Sequence, residues 1–294
     1  MIQAPVAQDW PETTCYLDLW IELLQGWERE PAAVLGYAAS VAWEGDQFTF
    51  GRPAHDDLAR LHGITVHELT IYRPMADHIR AQQDAGATAI IEVDAFHLPD
   101  TAGTTYRIRH EKTTLVVLGF DGTTLDYIHG RGRARLVGDD LRAVLTGWAL
   151  PPFTEIVRRE GTPLRGEVLR DAVRDGLAAR LRRRPAGNAV AQFRQALRRD
   201  GPALTAATFH PYAFSTFRML GTTFQSLGQL LAWLGDGLDD LEAACAAGSA
   251  AAKTEQFRAA RATARGRVPE PADALDQAEA AWDTVFQGLR DRYA

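Results

Sequence analysis

A chain of 294 residues, 46% hydrophobic and 24% charged, is long enough for two domains and has the balance of a folded globular protein. Its net charge is −6, with the acidic excess in residues 1–150 and a slight basic excess after them, which argues against a nucleic-acid surface. No stretch approaches the ~20 apolar residues of a membrane helix, and two cysteines, Cys15 and Cys245, make neither a disulfide framework nor a zinc motif.

The first ten residues lack a basic region and an apolar core, so no signal peptide is read there and a cytoplasmic protein with a free Cys15 thiol is expected. Apolar residues at 16, 17, 19, 20, 21, 23 and 24 predict a helix from about Thr14 to Glu28. Thr13 or Thr14 is the expected N-cap, which places Cys15 in the first turn. Unpaired N–H groups and the positive helix end favour an anion there, so a lowered thiol pKa is expected. The ordinary alternative is a small buried core cysteine.

Gln47 to Phe50 alternates and predicts a short strand, Pro53 to His62 a helix closed by Gly63, and Ile64 to Tyr72 a half-buried strand. Pro74 to Ala85 predicts a helix ending at Gly86. Thr88 to Leu98 carries the strongest strand signal and runs into a turn-rich loop over 99–104. A strand over Thr113 to Gly119, a hairpin turn at Asp121-Gly122, a return strand over Leu125 to His129 and a helix from about Gly138 follow. After Pro151-Pro152 only helices are read: 165–183, 188–199, 212–234, 238–265 and 272–292. The expected architecture is α+β, with an N-terminal domain over 1–150 and an all-helical domain over 151–294.

A thiol nucleophile needs a base and a group that orients the base. Cys15 opens a helix and His110 opens a strand, so they are the candidate pair. The third member is open among Asp126, His129 and Asp94: Asp126 is the carboxylate on the return strand, His129 is its last residue, and Asp94 lies on the neighbouring strand. Asp94 and Asp100 can equally be turn caps. A metal site is not expected, because His62 and His67 straddle the Gly63 turn and no helix carries a His-x-x-x-His pair.

Thr14-Cys15-Tyr16-Leu17-Asp18-Leu19-Trp20, Glu44-Gly45-Asp46-Gln47, the run from Glu92 to Thr104, His110-Glu111-Lys112-Thr113-Thr114 and Gln256 to Arg261 resemble a numbered bacterial family of unknown function. Its members tend to be encoded beside amino acid:carrier-protein ligases and carrier proteins. The N-terminal half also resembles the butirosin-type acyltransferase, whose core is similar to papain-like cysteine peptidases. The resemblance implies a papain-like core, with Cys15 as nucleophile and His110 as base. It implies transfer of an aminoacyl group from a carrier-protein thioester to a small-molecule or peptide amine. No cofactor of its own is implied, since phosphopantetheine arrives on the carrier. Asp18, Asp94, His97, Asp100 and Lys112 lie in the matching segments and are the expected substrate-side residues. Arg258 and Arg261 recur at helical spacing and are expected to meet the pantetheine phosphate or an acidic carrier helix, unless they are simply a solvated face. The rival expectations are a cysteine hydrolase and a non-enzymatic carrier-binding module. Neither a nucleic acid nor a membrane is an expected partner, and the sequence leaves the oligomeric state open.

Overall fold

The computed structural model describes residues 13–294; the reading of the first ten residues as free of a targeting segment lies outside them. Among the described residues no helix is long and apolar enough to cross a membrane. The chain divides into two compact units, and each is interleaved in sequence with the other: one holds Cys15–Arg29 and His55–Leu164, the other Glu30–Ala54 and Arg165–Ala294.

The first unit is α+β. Its strands are β1 (Ile64–Glu68), β2 (Thr88–Asp94), β3 (Lys112–Phe120), β4 (Thr124–His129), β5 (Gly132–Val137) and β6 (Thr154–Arg159), and they form one antiparallel sheet in the order β1-β6-β2-β3-β4-β5. Helix α1 (Cys15–Gly26) packs on β3 and β4. On one face Ile91, Leu115, Val117, Tyr127 and Leu136 are buried against α3 (Met75–Asp84) and α4 (Gly138–Thr146), the two-residue period setting which side chains turn inward. Helix α2 (His55–His62) ends at Gly63, whose φ of +64° and close approach to Gly161 leave no room for a Cβ. The β3–β4 hairpin turns at Gly122, φ +100°, with the Asp121 carboxylate accepting from the backbone N–H groups of Thr123 and Thr124.

Two strands correct the sequence-based reading. The first is β6, which follows Pro151-Pro152 where only helices were expected, and which pairs with both β1 and β2. The boundary of this unit therefore lies at Leu164, not at residue 150. The second is β5, whose Gly-Arg-Ala-Arg-Leu-Val sequence exposes its arginines as an edge strand does. Gln47 to Phe50, read as a strand, makes only an isolated bridge between Trp43 and Phe48.

The second unit is helical: α5 (Gly166–Arg183), α6 (Ala189–Asp200), α7 (Ala206–Ala213), α8 (Met219–Leu234), α9 (Asp239–Ala264) and α10 (Asp273–Tyr293). Asn188 caps α6 by accepting from Val190 and Ala191. A π-turn over Phe214–Arg218 joins α7 to α8 within the stretch read as one helix. The segment Pro31–Ser40, rich in small residues, is a ten-residue 3-10 helix packed on α5 and α8. Its Tyr37 hydroxyl lies 2.9 Å from Ser226 Oγ. Phe48 packs edge-on against Phe193 at 5.6 Å and at a tilt against Trp282 at 6.3 Å, so residues 30–54 are part of this core.

Candidate active site

One end of β3 and β4 gathers the reactive side chains. Thr113 is the second residue of β3, and His129 is the last residue of β4, paired across the ladder with Leu115. Tyr127 and His129 are two apart and so share a face. Both reach the same carboxylate, Asp100, on a 3-10 turn over Pro99–Thr101. That turn is fixed by the Thr101 hydroxyl donating to the carbonyls of Ala95 and Leu98. The Tyr127 hydroxyl donates to Oδ1 of Asp100, and His129 Nδ1 lies 2.6 Å from Oδ2. His129 Nε2 is 2.8 Å from Thr113 Oγ1, and the Thr113 hydroxyl is near enough to Cys15 to favour its thiolate. Thr113, His129 and Asp100 thus form one hydrogen-bonded line that ends beside Cys15.

The direction of that line follows from Asp100. Burial acts to raise its carboxyl, but the bonds from His129 and Tyr127 outweigh this and hold it below the usual carboxylate range. An ionised carboxylate only accepts, so His129 donates through Nδ1, and in the neutral ring Nε2 is then the lone pair. Thr113 then donates to Nε2 and accepts from the thiol. The line reverses when the proton has moved: Nε2–H donates to Thr113, and Thr113 donates to the thiolate. Burial, with the same tyrosine–carboxylate contact, pushes the Tyr127 hydroxyl up and keeps it a donor.

Cys15 begins α1, as expected, but its thiol is not lowered. Burial pushes it up, and Asp18 adds to this; the Thr113 hydroxyl and the N–H groups of Tyr16 and Cys15 pull the other way and do not prevail. The expected thiolate at a helix start is corrected on that ground. Cys245, inside α9, is pushed up to about 12 by burial.

His110 lies apart from that line. Its Nδ1 is 2.5 Å from Asp94 Oδ2, and its ring stacks on Phe96 at 4.4 Å. Its side chain is 74% exposed, against 15% for His129. Asp94 also accepts from the backbone N–H groups of Phe96 and Glu111; burial acts to raise its carboxyl, and these bonds with His110 hold it low. This second histidine–carboxylate pair borders a cavity of about 410 Å³ lined also by Glu92, Val93, Lys112 and Trp148.

The remaining expected residues divide clearly. Asp126 is not an orienter, because both its oxygens are taken by Arg135 on β5, at 2.6 and 3.1 Å. Asp18 pairs with Arg131 at 3.3 Å, and Lys112 with Glu92 at 2.6 Å. His97 lines the cavity and stacks edge-on against Phe96. Arg258 is held by the fully buried Glu255 at 2.7 Å, so it supports its own helix rather than a free cationic face; Arg261 is exposed. Among the described residues no group of three or more His, Cys, Asp or Glu side chains is placed to hold a metal ion. Sequence reasoning did not single out Thr113 or Trp148. The shared parity of 127 and 129 was the one signal that could have drawn both to a single acceptor.

The DUF1839 N-terminal domain matches residues 3–159 and the DUF1839 C-terminal domain matches residues 166–291. The chain belongs to that two-domain family, whose division falls where the structure ends β6 rather than at residue 150. No curated protein matches the chain.

Proposed function

We propose that this protein is an acyltransferase of the papain-like type that takes an acyl or aminoacyl group from a carrier-protein thioester onto Cys15 and hands it to an amine. The observation that carries the proposal is the line from Cys15 through Thr113 to His129 and Asp100. A half-buried thiol with a raised pKa is a poor resting nucleophile. It becomes a good one if its proton leaves as it attacks, and a hydroxyl ending on a carboxylate-held imidazole gives the proton a path. His129 is thus the base and Asp100 its orienter, in place of the His110 base that the resemblance implied.

In the first half-reaction Cys15 Sγ bonds to the thioester carbonyl carbon while its proton passes through Thr113 to His129. The carbon–sulfur bond of the donor breaks, and His129 returns the proton to the departing thiolate. The N–H groups of Cys15 and Tyr16 already point at the thiol. They are the donors that the start of this helix offers to a developing oxyanion. Thioester for thioester exchange is close to balanced in energy, which suits a donor on phosphopantetheine. Retention of the carrier as donor rests on the family resemblance and not on a residue of the helical unit, since Arg258 is engaged.

Intact-mass spectrometry with a panel of aminoacyl-carrier thioesters tests this. The expected result is one acyl increment on the wild-type protein and none on Cys15→Ala. A Cys15→Ala protein that transfers at the wild-type rate would overturn the covalent route. Product analysis separates the hydrolase: free acid instead of amide, with amine present, assigns the acyl-enzyme to water.

A further inference from the structure

The proton relay leaves the Asp94–His110 pair and its cavity unused. The two sites are neighbours through the sheet register. Val93, in the cavity wall, is paired with Thr113 across β2 and β3, while His129 lies on the β4 side of Thr113. Thr113 therefore stands between the imidazole that serves the thiol and the cavity that holds the second imidazole.

The cavity lining is chemically one-sided. It carries three carboxylates, from Glu92, Asp94 and Glu111, against one lysine. Lys112 is tied to Glu92 and Arg109 pairs with Glu111 at 2.7 Å, so Asp94, whose side-chain partner is His110, is the carboxylate without a Lys or Arg partner among the described residues. Trp148 and Val144 give it an apolar wall. Asp94, ionised, accepts the hydrogen bond from Nδ1–H of His110, and in the neutral ring Nε2 is then the lone pair that can act as a base. Such a lining suits an organic cation. An amine needs a proton acceptor of its own, because an ammonium has no lone pair with which to attack an acyl-enzyme. At an ordinary amine pKa of ~10.4, roughly one molecule in a thousand or fewer is unprotonated at pH 7.

We propose that this cavity is the acceptor subsite: it takes a primary alkylammonium with an apolar body, and His110, held by Asp94, removes the proton that frees the nitrogen for attack on acyl-Cys15. The inference rests on the acyl-transfer reading for its chemistry. His110 takes one proton from the ammonium and releases it to solvent. The nitrogen bonds to the acyl carbon, the bond from that carbon to Cys15 sulfur breaks, and the second nitrogen proton returns through His129 and Thr113 to the thiolate. Amide, thiol and one solvent proton balance the acyl-enzyme and ammonium consumed.

Two measurements test it. Wild-type and His110→Gln proteins are first acylated on Cys15 with an aminoacyl N-acetylcysteamine thioester, then chased with hexylamine or with methoxyamine, which is already unprotonated at pH 7. His110→Gln is expected to acylate at the wild-type rate and to slow the hexylamine chase by ~10²–10⁴-fold, the usual worth of general base catalysis. Methoxyamine is expected to recover most of the loss, which a merely structural role would not allow. Equal slowing of both chases, slowed acylation, or an unchanged hexylamine chase overturns the proposal. The second measurement needs no chemistry. In a Cys15→Ser protein the His110 ring resonance is followed by NMR while hexylamine is added. A saturable shift, lost in Asp94→Asn, supports the subsite even if no acyl-enzyme ever forms, and no shift overturns it.

Discussion

A threonine hydroxyl between a thiol and an imidazole makes a sharp demand on substitution. Thr113→Val keeps the shape and removes the proton path, so acyl-enzyme formation is expected to fall by ~10²–10⁴-fold, while Thr113→Ser keeps the hydroxyl and recovers most of the rate. Rapid-quench mass spectrometry reads both, and a Thr113→Val protein that acylates normally would show that Cys15 and His129 meet directly. The thiol itself gives a pH test. Burial disfavours the thiolate, so the midpoint of Cys15 alkylation by iodoacetamide is displaced upward, above the ~8.5 of a free cysteine. Cys245, pushed up to about 12, alkylates later still. A Cys15 midpoint below that of free cysteine would mean a resting thiolate–imidazolium pair and no need for the relay. At this scale the sequence was half legible. Cys15 could be found because a cysteine opening an amphipathic helix is visible locally. His110 looked like the base because it opens a strand. That His129 sits 15% exposed beside Asp100 while His110 sits 74% exposed beside Asp94 depends on how two loops fold back, which no local pattern carries.

Elements were read best where period and punctuation agreed. The hairpin at Asp121-Gly122 and the helix closed at Gly63 coincide with the turn and cap chemistry of their residues, and the helix read from 188 starts at the Asn188 cap that the structure shows. β6 was missed because Pro151-Pro152 resembles an interdomain break and because Thr154 to Arg159 is only six residues, two of them arginines at its end. Its interior place between β1 and β2 makes it essential to the sheet. Ile156, 3% exposed, is expected to cost about 2–5 kcal/mol when changed to Ala, read as a lowered urea midpoint. A loss within about 0.5 kcal/mol, the range of surface changes, would remove β6 from the core.

The whole chain passes from one unit to the other and back before it ends, a path no composition shift announced. Residues 30–54 lie in the helical unit although they precede every strand of the sheet in sequence. A fragment of residues 1–164 therefore keeps Phe48 and Tyr37 but loses their partners Phe193, Trp282 and Ser226. It is expected to aggregate or bind a hydrophobic dye, and the same fragment with residues 30–54 replaced by a flexible polar linker is expected to behave better; equal solubility of the two would count against the interleaved core. The same path sets a clock during synthesis. The buried 3-10 segment Pro31–Ser40 leaves the ribosome well before α8 (Met219–Leu234), one of the two helices it packs on. With about 180 residues still to be added at ~5–20 residues per second, it waits on the order of ten to thirty-five seconds with Val34, Leu35 and Tyr37 uncovered. That delay exposes an apolar segment to chaperones on every nascent copy, and it makes the yield of this protein depend on how fast its C-terminal half is translated.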